Sequence, residues 1–267
     1  NNNDNDNDND NDNDNDNDLY KQYFVGYKLE FDHNITNCTL IDWSNPDEND
    51  NIVSFMYTIP LSRNQLLVEE TVLIDHLNNK MNFDLLEKRL NKRLNIYDNY
   101  KIIGKEIDWI PLNTGIQNVK SVSFGVGQTG NFINNISGYT IGYNIYHIPE
   151  LCNTIIKNNF NIKKTINDYW NIKRRLIYFI NIIGMKTLVS LSQKELAEFH
   201  DYYFKYIVPD SYHFKLMFLN CDNEFNISKL AFSYIKYIYF PWKYLQKIAI
   251  NLLKTISIKH IIYYYFS

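Results

Sequence analysis

Phe55-Met56-Tyr57-Thr58-Ile59-Pro60 is followed, after a polar break at Ser62 to Gln65, by Leu66-Leu67-Val68-Glu69-Glu70-Thr71. The β-branched and aromatic content on both sides of a short polar break predicts two strands. Two adjacent carboxylates inside a run that otherwise favours burial need a reason. An ionised carboxylate in an apolar site is costly unless it is paired or protonated. A salt-bridged or edge position is the commoner reason for a Glu pair in a strand; a neutral, proton-donating Glu is the other. Because side chains alternate along a strand, Glu69 shares a face with Leu67, Thr71 and Leu73, whereas Glu70 lies among Leu66, Val68, Val72 and Ile74. Only one of the two can look into a given pocket, and face counting favours Glu70 as the residue among apolar neighbours.

Working outward, strands are expected at Tyr20 to Phe31, Thr39 to Trp43, Val53 to Ile59 and Gln65 to Ile74, joined by short polar connections that suit an antiparallel sheet. Asn82 is placed to cap a helix through Phe83, Leu85, Leu86, Leu90 and Leu94, with Lys88, Arg89, Lys92 and Arg93 read as its solvated face. Tyr100 to Pro111 and Lys120 to Gly127 read as further strands. After Tyr139 the pattern turns helical, with helices expected over Ile166 to Ile183, Gln193 to Ile207 and Ile227 to Ile256, the last broken at Pro241. The class is α+β. The chain divides into a low-complexity tail (1–18), a sheet-rich region (19–153) and a helical region (154–267).

The tail alternates Asn and Asp without one apolar side chain, so it is expected to be disordered. It also carries eight Asp; without them 22 acidic residues face 27 basic ones, and a formal charge of −3 becomes about +5. A mild basic excess suits an anionic surface or a cofactor phosphate and does not call for nucleic acid. Cys38, Cys152 and Cys221 are widely spaced and odd in number, which argues against a disulfide framework or a zinc site. Histidines 33, 76, 147, 200, 213 and 260 show no ligand spacing, and no metal is expected. No apolar stretch reaches the length of a membrane-spanning helix, and no targeting segment is visible.

Five short motifs occur in a fixed order. Gln22-Tyr23-Phe24-Val25-Gly26 resembles Gln-x-Ala-Tyr-Gly; Ile41-Asp42-Trp43 resembles Met-Asp-Trp-Arg, with Ser44 in place of the Arg; Phe55 to Leu61 is similar to Phe-Leu-Tyr-Ala-Met-Pro-Met. Leu67 to Thr71 then resembles Phe-Leu-Glu-Glu-Thr, and Met81 to Leu86 resembles Met-Pro-Phe-Asp-Leu-Leu. All five are signatures of the lycopene cyclases, flavoproteins that close the ends of a linear carotenoid into rings. Phe124-Gly125-Val126-Gly127 and Ser137-Gly138-Tyr139 look like that family's flavin-side loop, although Asn134 and Asn135 stand where it has His and Pro. Trp170, Arg174, Gly184-Met185, Phe199, Tyr203 and Phe204 resemble its helical half more loosely, and an aromatic stripe of this kind is also ordinary core.

The resemblance implies an antiparallel substrate sheet of an FAD-dependent, p-hydroxybenzoate hydroxylase-like fold, followed by helices. It implies acid catalysis by the first Glu of the pair, Glu69, with Glu70 the alternative favoured by face counting. Reduced FAD would contact Gly125, Gly127, Ser137, Gly138 and Tyr139, and NADPH would keep it reduced. The substrate would be a carotenoid and the setting a plastid membrane surface, where the lysines of Ile227 to Ile262 could snorkel to headgroups; an ordinary packed helical pair is the equal alternative. Another flavin-dependent oxidoreductase of the same superfamily, such as a monooxygenase, or a non-catalytic relative are the competing readings. No stretch before Tyr20 reads as the family's nucleotide-binding βαβ unit, so the chain reads as a fragment, a misread gene product or a relative with impaired cofactor binding. Gly125-x-Gly127-x-x-Gly130 matches a dinucleotide fingerprint literally, but polar residues follow where its helix should open.

Overall fold

A computed structural model describes residues 19–44, 52–117, 121, 123–207, 229 and 240–255. The disorder expected of the tail lies outside the described residues; of the helix expected over Ile227 to Ile256, residue 229 and Trp242–Thr255 are helical, and 227–228 and 230–239 lie outside the described residues.

Five strands form one antiparallel sheet: β1 (Tyr20–Glu30), β2 (Thr39–Asp42), β3 (Phe55–Ser62), β4 (Gln65–His76) and β5 (Lys101–Pro111), in the spatial order β2-β3-β4-β1-β5. The two strands read first from the sequence are thus neighbours, β3 and β4. Helix α1 (Phe83–Leu94) starts where Asn82 Oδ1 accepts from the Leu85 amide at 3.1 Å. It lays Leu86, Leu90 and Leu94 over Val25, Leu29, Leu66 and Val68 on one face of the sheet. Burying each such side chain contributes roughly 1.5–3 kcal/mol.

The other face carries the helical half: α2 (Ile141–Lys157), α3 (Ile162–Tyr169), α4 (Ile172–Val189), α5 (Gln193–Tyr202) with a π-turn at Tyr203–Ile207, and α6 (Trp242–Thr255). Their core joins Phe55 and Leu73 of the sheet to Phe132, Trp170, Tyr178, Met185, Phe199 and Tyr244. The expected helix over Ile166 to Ile183 is two helices. Asn171 ends the continuity, because its Oδ1 accepts from the amides of Lys173 (3.0 Å) and Arg174 (3.3 Å) and so starts α4 afresh.

Two further expectations are corrected. Residues 121 and 123–126 are not strand. Their polar groups are used locally: Gln117 donates to the Gly125 carbonyl at 3.0 Å, Gly127 turns the chain at φ +64°, and Gly130 packs on the Gly125 carbonyl with no room for a Cβ. Only a single 3₁₀ turn, Gly127–Gly130, follows the glycines, and α2 opens at Ile141, so the strand–turn–helix context of a dinucleotide fingerprint is missing. The basic face of α1 is only half solvated. Lys88 and Lys92 are exposed, but Arg89 (1% exposed) and Arg93 (7%) are buried beneath the helix.

Candidate active site

Strand register puts the two glutamates on opposite sides of the sheet, each in a different chemical setting. Glu70 is fully buried on the α1 side. Its carboxylate receives Arg93 Nε at 2.5 Å, Arg89 Nε at 3.4 Å and the Ser54 hydroxyl at 2.5 Å. Arg93 reaches on to Asp42 Oδ2 (3.3 Å) and to Ser44 Oγ (2.7 Å), so two of the sequence motifs and helix α1 meet in one buried ion network. The apolar strand neighbours that favoured Glu70 in face counting are present, but two guanidiniums come with them from α1. Spacing held the clue, since Arg89 and Arg93 follow Leu86 and Leu90 at three residues on the helix stripe.

Glu69 faces the helical half and is 5% exposed. No cation pairs with it among the described residues; its partners are neutral hydroxyls. The Tyr57 hydroxyl, cross-strand on β3, donates to Oε2 at 2.5 Å, and Thr71 donates to Oε1 at 2.7 Å. Both bonds favour the ionised form, and the charge of Glu106 opposes it. Burial outweighs them and lifts the carboxyl from 4.5 to about 7, so near neutrality a large fraction carries its proton. Gly26 makes this burial possible. It pairs with Glu69 on one side and Glu106 on the other, and a Cβ there would stand 3.4 Å from Glu69 Oε2. The same burial, with the Glu69 charge, raises the phenols of Tyr57 and Tyr139 and keeps both neutral.

An apolar cavity of about 600 Å³, within the range usual for small-molecule sites, opens on the same side of the sheet; Glu69 is not among its lining residues, but Tyr139, whose phenol feels the Glu69 charge, is. Phe55 and Leu73 contribute the sheet wall; they flank Glu69, since Phe55 pairs with Thr71 and Leu73 lies on the same strand face. The helices contribute Phe179, Ile183, Gly184 and Leu188 from α4, Phe199 and His200 from α5, and Leu245 and Leu252 from α6. Ser137 and Tyr139 complete the rim. Their loop is organised by Asn134, whose Oδ1 accepts from the amides of Ile136 and Ser137 and from the Ser137 hydroxyl. Gly138 sits at φ +76° against the Gln22 side chain, where any Cβ would collide. Gln22 in turn donates to the Leu73 and Ser137 carbonyls, at 3.4 and 3.5 Å.

Of the residues singled out from the sequence, Ser137 and Tyr139 line the cavity, Gly138 joins them in the chain, Glu69 lies on the same side of the sheet behind that wall, Glu70 points away, and Gly125 and Gly127 lie in a loop outside the cavity wall. The sequence reading missed three contributors. Tyr57 was seen as a motif residue without a role. Gln193 ties the helical half to the sheet, donating to the Trp43 and Ser54 carbonyls and accepting from the Ser54 amide. His200, dismissed for want of ligand spacing, lines the cavity. Among the described residues no group of His, Cys, Asp and Glu could hold a metal ion, and no helix is long and apolar enough to cross a membrane.

The family model described as "Lycopene cyclase protein" matches residues 8–215. The chain belongs to the lycopene cyclase family. Its curated relatives include the chloroplastic lycopene beta cyclase of Solanum lycopersicum, 25% identical over 196 residues, which make up 66% of this chain and 39% of that protein. The chloroplastic/chromoplastic lycopene beta cyclase of Narcissus pseudonarcissus is 25% identical over 170 residues, 59% of this chain and 33% of the relative. The chain thus spans about two fifths of the length of the family members it matches. Among solved structures, a geranylgeranyl bacteriochlorophyll reductase-like protein from Thermoplasma acidophilum aligns with a TM-score of 0.44 and 15% identity, over 73% of this chain and 48% of that one.

Proposed function

We propose that this chain supplies the catalytic acid and the substrate wall of an enzyme that cyclises the end groups of lycopene without net redox change. The observation that carries this reading is Glu69: a buried carboxyl without a cation partner among the described residues, held partly protonated near neutral pH behind the Phe55 and Tyr139 wall of an apolar cavity. Membership of a family whose relatives are called lycopene beta cyclases supplies the substrate class.

In this mechanism the Glu69 carboxyl gives its proton to the terminal double bond of an acyclic end group. A neighbouring double bond attacks the resulting cation, closing the ring, and loss of a proton from an adjacent carbon leaves the ring double bond. The hydroxyls of Tyr57 and Thr71 hold the carboxylate formed by the first step. The aromatic faces of Phe55, Phe179, Phe199 and Phe204 line the space in which the cation develops and attract positive charge without offering a nucleophile. Glu70, paired with Arg89 and Arg93 on the opposite face, has no role as donor; it fixes α1 on the sheet.

A reduced flavin, kept reduced by a nicotinamide, would add a negative charge opposite the cation. The rim suits one edge of such a ring. Gly138 removes side-chain bulk in front of α2, and no side chain caps the first turn of that helix, which leaves its amides directed outwards. Ser137, Gly138 and Tyr139 would hold it. The loop of Gly125 and Gly127 packs on itself and contributes at most Gly127, whose missing side chain faces open space.

The relatives' names place them in chloroplasts, and we assign this chain to the same compartment. A membrane surface would be met by the exposed Trp242, Ile250 and Leu253 of α6, while Lys243 and Lys247, read from the sequence as headgroup contacts, pair with Glu198 and Glu195 of α5. The test is expression of the natural gene product in lycopene-accumulating bacteria. The unaltered protein is expected to convert lycopene to ring-bearing carotenoids, and Glu69→Gln to leave lycopene untouched at equal protein level. Full conversion by Glu69→Gln would discard the assignment.

A further inference from the structure

The proposed reaction needs a second group, because the proton lost after ring closure must go somewhere. Its donor, Glu69, lies at the sheet side of the cavity. The helical side holds His200, on α5. Its ring is fixed between Trp43, at a centroid distance of 4.9 Å, and Phe204, at 6.2 Å, and Trp43 itself packs on Phe55 at 5.1 Å. Phe55 lines the same cavity as His200 and lies opposite Thr71, which donates to Glu69, so the acid stands directly behind the sheet wall of the space that His200 borders.

The tautomer of His200 follows from geometry. Nδ1 lies 2.8 Å from the Leu196 carbonyl oxygen, which can only accept, so Nδ1 carries the hydrogen. In a neutral imidazole the lone pair is then on Nε2. That atom has no hydrogen-bond partner among the described residues. Burial pulls the imidazole from 6.5 down to about 4, against the weak opposing pull of Asp201, so the ring is neutral at ordinary pH. Among the described residues that line the cavity there is no carboxylate, lysine or arginine, and His200 is the only imidazole.

We propose that His200 is the catalytic base that ends the cyclisation, with Nε2 taking the proton from the carbon next to the cationic centre. This rests on the reading of Glu69 as the acid. The C–H bond breaks, its electron pair becomes the ring double bond, and the proton forms an imidazolium. One proton enters from Glu69 and one leaves to His200, so no oxidant or reductant is consumed. The imidazolium is an unusually strong acid in this setting and returns its proton to water, as the carboxylate regains one, once product leaves.

The test uses the natural gene product with lycopene in D₂O. The unaltered protein should give cyclic product carrying deuterium. His200→Ala and His200→Gln, the latter keeping a donor for the Leu196 carbonyl, should lose ring formation by about 100-fold or more. The lycopene recovered from them should nevertheless gain deuterium, since Glu69 still protonates the substrate and takes a proton back. A histidine that merely shapes the wall predicts unlabelled lycopene in the slow variants, and that result overturns the proposal. So does ring formation at the unaltered rate in either His200 variant while Glu69→Gln is inactive. Ring formation that survives Glu69→Gln overturns the acid assignment and this base with it.

Discussion

Replacing Glu69 by Gln should change how stability depends on pH, independently of any activity. In the unfolded chain this carboxyl ionises near 4.5, and in the folded protein near 7. Below pH 4.5 both states hold the proton and the folded state loses nothing. Between 4.5 and 7 the unfolded chain releases its proton while the folded protein keeps it, so stability falls with rising pH. Above about 7 both are ionised and the loss levels off. The gap corresponds to about 3 kcal/mol, a large share of the roughly 5–15 kcal/mol that holds a typical domain together. Gln cannot ionise, so it removes the slope. It also disturbs the hydrogen bonds from Tyr57 and Thr71, a cost of about 1 kcal/mol that does not vary over this range. Denaturant titrations of both proteins at pH 5 and pH 8 therefore separate the two effects. The unaltered protein should lose about 2.5 kcal/mol more than the variant on going from pH 5 to pH 8, the rest of the gap falling below pH 5. Parallel losses in the two proteins would show that Glu69 is not held protonated by burial, and the proton-donor argument would fail with it.

Tyr57→Phe deletes a hydroxyl that favours the ionised form of Glu69, so the carboxyl should hold its proton to higher pH. The alkaline limb of the pH profile of ring formation should move upwards; an unchanged limb, or a move to lower pH, would refute the role given to this bond. Arg93→Ala should cost about 3–5 kcal/mol in unfolding free energy, because it leaves Glu70 and Asp42 short of a buried cation. Lys88→Ala, one turn away on the exposed side of α1, should stay within about 0.5 kcal/mol, and equal effects of the two would deny the buried network.

The sheet was legible because its signals are local and repeated. Alternation of apolar and polar residues, with short polar breaks, marks β1, β3, β4 and β5 to within a few residues, and Asn82 announces α1 by a side chain that bonds its own backbone three residues on. The stretch from Lys120 to Gly127 was misread as a strand for the same reason in reverse. Its composition is that of a strand running into a loop, yet its hydrogen bonds close on itself and on Gln117, which no periodicity records. The arginines of α1 were assigned to solvent by residue type, although their spacing already placed them with Leu86 and Leu90. In the helical half, Asn171 split one expected helix into two by capping, a competition between side chain and backbone that apolar patterning does not register.

The order of strands and helices, the family and the identity of the two carboxylates are all written along the chain, since each depends on neighbours a few residues apart. Which carboxylate is paired and which is left with its proton is not. That choice was made by packing, when α1 brought two guanidiniums to one face of β4, while on the other face the sheet offered only the hydroxyls of Tyr57 and Thr71 and the helices covered it with apolar side chains. A charge is stabilised or suppressed by what surrounds it in space, so the proposed acid and the proposed base could be told apart from their neighbours only after folding had assembled those surroundings.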